Sequence, residues 1–122
     1  MKLTRQSAAD RQLIQRYGNG GFRVSNVDFT GAVIVTPERT VSWVVPSVAD
    51  LTVADFAPLM NQSLDVCLLG CGKEMLPLKP ELRAALKEAG ISVDLMDTGA
   101  ACRTYNVLMG EGRAVAAALI AI

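Results

Sequence analysis

Two short stretches of this chain hold the residue types that could do chemistry. The first is Gly70-Cys71-Gly72-Lys73-Glu74, where small residues expose backbone N–H groups and a lysine adds charge, the ingredients of an anion cradle. It fails the sharper tests. A Walker A loop would need glycine where Cys67 stands and Ser or Thr where Glu74 stands, and a dinucleotide fingerprint would need a third glycine at Met75. A structural turn is the better reading. The second stretch is Asp97-Thr98-Gly99-Ala100-Ala101-Cys102-Arg103. If Asp97 or Thr98 caps a helix, Cys102 lies in its first turn beside Arg103, and both the helix terminus and the guanidinium favour a thiolate. At about 100° per residue, Ala101, Tyr105, Leu108 and Met109 form one buried stripe. Cys102 and Asn106 then share an edge of the helix, with Arg103 on the far side.

A thiol enzyme needs a base beside its sulfur, and the chain contains no histidine. Asp97, as an N-cap, is already ionised and hydrogen-bonded. A buried structural Cys102 therefore outweighs a reactive one, and Cys67 reads as mid-strand packing. Cysteines at 67, 71 and 102 make a poor metal set, so neither a metal nor a cofactor is expected.

Both stretches need elements to hold them. Leu13–Tyr17 and Phe22–Val24 flank Gly18-Asn19-Gly20-Gly21 and read as a hairpin. Ala32–Val35 and Val41–Val45, the latter with Trp43 as a core or rim aromatic, read as further strands ending near Pro37 and Pro46; two or three of these strands form a meander. Thr52 caps a short helix through Met60, with Asp55 in its first turn. Val66–Leu69 is apolar on both faces, as a central strand covered on both sides must be. The clearest helix follows: Pro80 at its start, Leu82, Ala85, Leu86 and Ala89 on one stripe, Gly90 beyond its end. Ser92–Met96 is a strand, and the capped helix then runs to about Met109. The tail, Arg113–Ile122, is rich in alanine yet continuously apolar, and strand is the preferred assignment. The expected fold is a three-layer α/β domain with a mixed central β-sheet flanked by helices and an N-terminal β-meander or hairpin layer. It reads as a single domain over 1–122, β-rich over 1–46 and α-β-α-β-α-β over 47–122. If the strands at 66–69 and 92–96 are parallel neighbours, the two loops meet beyond their carboxyl ends. Gly70, Gly72, Asp97, Cys102, Arg103 and Asn106 would then border one crevice.

Composition narrows the function. The 122 residues carry 12 Lys and Arg against 12 Asp and Glu, and such neutrality argues against a nucleic-acid binder. It eases contact with a protein partner or a second copy of the chain. The absence of histidine excludes Ser-His-Asp and Cys-His catalysis. Three cysteines without a CxxC pair suit a reducing compartment. No uncharged run approaches the roughly 18 residues of a membrane span, and the N-terminal stretch has no apolar signal core. A cytoplasmic location is expected. Charge is nonetheless uneven: residues 1–40 have six basic and three acidic residues, whereas residues 41–66 hold Asp50, Asp55 and Asp65 and no basic residue. Opposed patches of this kind could pair chains or guide a partner.

Several runs resemble one family. They are Asp65–Gly72, Leu82-Arg83, Gly90–Thr98, Ala100-Ala101-Cys102-Arg103-Thr104-Tyr105-Asn106, Glu111-Gly112-Arg113 and Ala116–Ile120, together with Tyr17-Gly18, Phe22–Val24 and Trp43–Pro46. The family is a small one, long catalogued as a domain of unknown function, that includes a mitochondrial complex I (NADH:ubiquinone oxidoreductase) assembly factor; the chain is most similar to its bacterial members. The resemblance implies the three-layer fold given above, a strand for the tail, and a non-catalytic helper that binds a protein partner during assembly. It supplies no accepted catalytic set. Cys71 stands where the family often has threonine, so no essential hydroxyl is assigned there. The alternative is a small-molecule or anion-binding protein, or a thiol-dependent enzyme, using the crevice between the 70–74 loop and the start of the 99–109 helix.

Overall fold

A computed structural model describes residues 11–45 and 47–122. Its first two strands, β1 (Ile14–Gly18) and β2 (Gly21–Val24), are joined by Asn19 and Gly20 at φ 54° and 77°. Two left-handed residues give a hairpin turn whose twist matches that of the strands. The chain then turns again at Ser25-Asn26 into β3 (Val27–Thr30), which pairs with β2 from Val24↔Val27 to Gly21↔Thr30. The sequence reading contains no strand here. Ser25 and Asn26 reach φ 44° and 71° without a glycine to signal the turn. Side chains hold it instead: the Gln15 carboxamide accepts from the Asn26 N–H and donates to its Oδ1, and Ser25 Oγ accepts from the Leu13 N–H.

The N-terminal layer is thus a three-stranded meander, and the strands read at Ala32–Val35 and Val41–Val45 belong elsewhere. Shortened to β4 (Val33–Val35) and β5 (Thr40–Ser42), they join the central sheet with β6 (Val66–Gly70), β7 (Val93–Met96) and β8 (Val115–Leu119). The order is β5-β4-β8-β6-β7. β6 runs parallel to β7 and β8, whereas β4 is antiparallel to β5 and β8, so the sheet is mixed as expected. Every residue of β8 is buried. Alanine propensity loses here to a sheet that is covered on both faces.

Alternation along the strands sorts the core into two clusters. Ile34, Cys67, Leu69, Ala116 and Ala118 face α1 (Pro80–Glu88) together with Phe56, Leu59 and Trp43. Val33, Val35, Leu68, Val115, Ala117 and Leu119 face α2 (Thr98–Gly110) and the inner side of the three-stranded sheet, including Ile14, Phe22 and Val24. The step from β6 to β7 moves one way across the sheet, and the step from β7 to β8 returns past β6. Right-handed crossovers must then put α1 and α2 on opposite faces, which is where they lie.

The segment expected to form a helix from Thr52 to Met60 is a 3-10 helix over Val53–Leu59. Pro58 explains this, since it can neither donate to nor fit against the carbonyl four residues back. Asp55 does serve its first turn, accepting from the Thr52 N–H at 2.8 Å. Trp43 is a core aromatic: it meets the Phe56 ring at 5.5 Å edge-on and donates its indole N–H to the Asp55 carbonyl. No helix among the described residues is long and apolar enough to cross a membrane.

Candidate functional site

The two loops singled out in the sequence do meet at the carboxyl ends of β6 and β7, and the residue that joins them is Thr98. Its hydroxyl accepts from the Gly72 N–H at 2.9 Å and donates to the Ile120 carbonyl at 2.7 Å, while its own N–H donates to the Gly72 carbonyl at 2.8 Å. The Cys71 N–H donates to Met96 O, and the Ile120 N–H to Gly70 O, both at 2.9 Å. One threonine therefore ties the ends of β6, β7 and β8 together, fully buried. Gly70 permits the approach. A Cβ there would stand 3.0 Å from both Thr98 Cα and a Leu119 methyl, so a side chain would push the helix start away from the sheet.

Asp97 caps α2 as expected, its carboxylate accepting from the Ala100 N–H at 2.8 Å. Beyond it the helix departs from the sequence reading. Cys102 lies in the buried stripe with Ala101, Tyr105 and Met109, 2 % exposed, rather than on an open edge. Burial pushes its thiol up to about 12, against the downward pull of Arg103 and with a small upward push from Asp97. Cys102 is the buried cysteine that the sequence reading preferred, and its acidic-thiolate alternative fails because desolvation outweighs the helix terminus and the guanidinium. Cys67, wholly buried in β6, is likewise pushed up to about 12.

Arg103 and Asn106 turn toward the three-stranded sheet. Arg103 Nη1 donates to the Tyr17 hydroxyl at 2.8 Å, and that phenol lies over Gly99, where a Cβ would come within 2.9 Å of the oxygen. Asn106 behaves as a surrogate strand. Its Oδ1 accepts from the Ile14 N–H at 3.0 Å and its Nδ2 donates to the Ile14 carbonyl at 2.8 Å, so the side chain satisfies the outer edge of β1. Tyr105, buried in the same stripe, donates its hydroxyl to the Gln12 carbonyl at 2.8 Å. Burial raises the Tyr105 phenol above the ordinary tyrosine value, with Glu38 adding to the rise.

The six residues read from the sequence divide between two fasteners. Gly70, Gly72 and Asp97 belong to the Thr98 junction; Arg103 and Asn106 clamp β1 to α2; Cys102 packs between them. Among the described residues no buried side-chain nitrogen or oxygen lacks a hydrogen-bond partner, and no cluster of Cys, Asp and Glu could hold a metal ion. Sequence reasoning named Thr98 only as a possible cap and left Tyr17 and Gln12 out of the site. Only Thr98 carried a local signal, as a hydroxyl directly after a capping aspartate.

These features define a class: a three-layer α/β domain whose meander is locked to the central sheet through one helix. The chain belongs to the family of proteins of unknown function designated DUF498/DUF598, whose model matches residues 14–120. It is 31% identical over 98% of its length to the human NADH dehydrogenase [ubiquinone] 1 alpha subcomplex assembly factor 3, and spans 66% of that protein. It spans 59% of the mouse relative of the same name. Among solved structures, a crystal structure described as an outer membrane protein from Bartonella henselae superimposes with a TM-score of 0.83 at 42% identity. The match covers 93% of this chain and 97% of that one. A solution structure from Bordetella pertussis, described as a Mth938-like domain, gives a TM-score of 0.74 at 33% identity, covering 99% and 92% of the two chains.

Proposed function

We propose that this protein is a non-catalytic, protein-binding helper in the assembly of a respiratory NADH:ubiquinone oxidoreductase. The observation that carries the reading is the match to the human assembly factor across 98% of this chain. The geometry supports it from a second side. The run Ala101-Cys102-Arg103-Thr104-Tyr105-Asn106 carries much of the family resemblance, and within it Arg103, Tyr105 and Asn106 bond to Tyr17, Gln12 and Ile14 inside the molecule. A motif used to fasten layers keeps a surface in shape, which a binding helper needs; a catalytic motif would leave donors or a nucleophile pointing outward. On the same reading the protein works in the cytoplasm and needs no cofactor.

The test is deletion of the gene in its native cell, with the amount of assembled enzyme read on native gels. Assembled complex falls several-fold, partial complexes accumulate, and a plasmid copy of the gene restores both. An affinity-tagged chain co-purifies with subunits of that enzyme. Normal assembly in the deletion strain, with the tagged chain recovered alone, overturns the proposal.

A further inference from the structure

The outer face of the three-stranded sheet carries two rows of residues at cross-strand positions. One row is Arg16, Arg23 and Asp28, the other Gly18, Gly21 and Thr30. Residues directly opposite one another share a face, and Phe22 and Val24 on either side of Arg23 are buried beneath it, so the first row points outward. Gly18 and Gly21 add no side chains to the second row, and the two rows border a cavity of about 220 Å³. Within it Arg23 is paired, its Nη1 2.9 Å from Asp28 Oδ1. Arg16 sits directly across from Arg23 and has no acidic partner among the described residues. Two like charges stand opposed on one face, and the single carboxylate of the row lies on the far side of Arg23 from Arg16, so the positive charge of Arg16 is left uncompensated.

We infer that this cup receives a carboxylate side chain, Asp or Glu, from the surface of a partner protein. The inference rests on the assembly-helper reading and names the chemistry of its docking surface. Size decides against a cofactor: about 220 Å³ is below the roughly 300–1,000 Å³ of small-molecule sites and suits one side chain. Charge decides the kind of side chain, because a carboxylate accepts two parallel N–H bonds from the free guanidinium of Arg16. A second copy of the chain is the weaker occupant. The acidic stretch 41–66, whose charge opposes that of the basic N-terminal part, spends its three carboxylates inside the molecule: Asp50 bonds Ser47, Asp55 bonds Thr52, and Asp65 bonds Arg113 and the Ala114 N–H.

The experiment titrates the isotope-labelled full chain with an acetylated, amidated hexaglutamate peptide, and in parallel with inorganic phosphate and with hexalysine. Amide shifts at Arg16, Gly18, Gly21, Arg23 and Thr30 with hexaglutamate, weakened at least about tenfold in Arg16→Glu and on raising the salt, support the inference. Arg16→Glu replaces a like-charge pair by an opposite one, so its melting temperature stays at or above the parent value, and lost binding cannot be charged to unfolding. Shifts elsewhere, equal binding by the variant, or tighter binding of phosphate than of the peptide overturns it, as does concentration-dependent dimerisation that Arg16→Glu abolishes. In the deletion strain, an Arg16→Glu gene that restores assembly overturns the cup and leaves the helper role standing. A wild-type gene that fails to restore assembly overturns the helper role, and the peptide titration still decides the cup.

Discussion

Thr98 holds three strand ends with a single hydroxyl, and its replacement by valine keeps the shape while removing both bonds. The Gly72 N–H and Ile120 carbonyl would then be buried without a partner, each costing about 1–3 kcal/mol. Thr98→Val should lower the urea-unfolding free energy by about 3 kcal/mol, and Thr98→Ser by much less. A larger loss in Thr98→Ser than in Thr98→Val would show that the methyl, not the hydroxyl, matters. Cys102 yields a second test at this scale. A thiol 2 % exposed and pushed up to about 12 offers neither access nor thiolate. Iodoacetamide at pH 8 should label Cys102 in the native protein at least about a hundredfold more slowly than in urea, with labelling controlled by opening of the fold. Comparable rates in the two states would restore the reactive thiol.

Among the elements, α2 acts as the bracket between the two sheets, and Asn106 is the part that mimics a strand. Asn106→Ala leaves both backbone groups of Ile14 without their partner and should cost about 2 kcal/mol. Hydrogen exchange at Ile14, Tyr17 and Phe22 should speed up more than at Leu68 or Ala117 in the central sheet. Uniform acceleration would mean that the meander does not open separately. The sequence shows α2 itself well, because its cap, its stripe and its glycine ending are all local signals. Strands β6 and β8 are legible for the same reason, as unbroken apolar runs bounded by turn residues, and β7 as a short run broken only by the exposed Asp94. What lies beyond local reading is which way the polar side chains of α2 turn. The partners of Arg103, Tyr105 and Asn106 lie 86, 93 and 92 residues away. Spacing along the helix puts Asn106 at an edge but cannot say that β1 waits there. For β3 the difficulty is different: a turn built on Gln15, Ser25 and Asn26 side chains lacks the glycine that advertises most hairpins.

For the whole molecule, the two buried thiols set a direction for stability against pH. Unfolded, Cys67 and Cys102 ionise near the free value of 9.0; folded, both are pushed up to about 12. Between those values the unfolded chain has lost protons that the native protein keeps, so ionisation pulls the equilibrium toward unfolding. The stability from keeping the thiols neutral is complete below pH 9 and is lost as pH rises toward 12. Going from pH 8 to pH 10 should therefore remove about 1.4 kcal/mol per thiol, about 3 kcal/mol in all. Tyr105, raised by the same burial, adds to the fall only toward the upper end of the range. Chemical denaturation at pH 8, 9 and 10 measures the slope. Cys67→Ala and Cys102→Ala lower stability at every pH through the space they leave, yet each should remove about half of the slope. Parallel curves for the parent and both variants would place the alkaline loss outside the core, in groups that neither sheet covers.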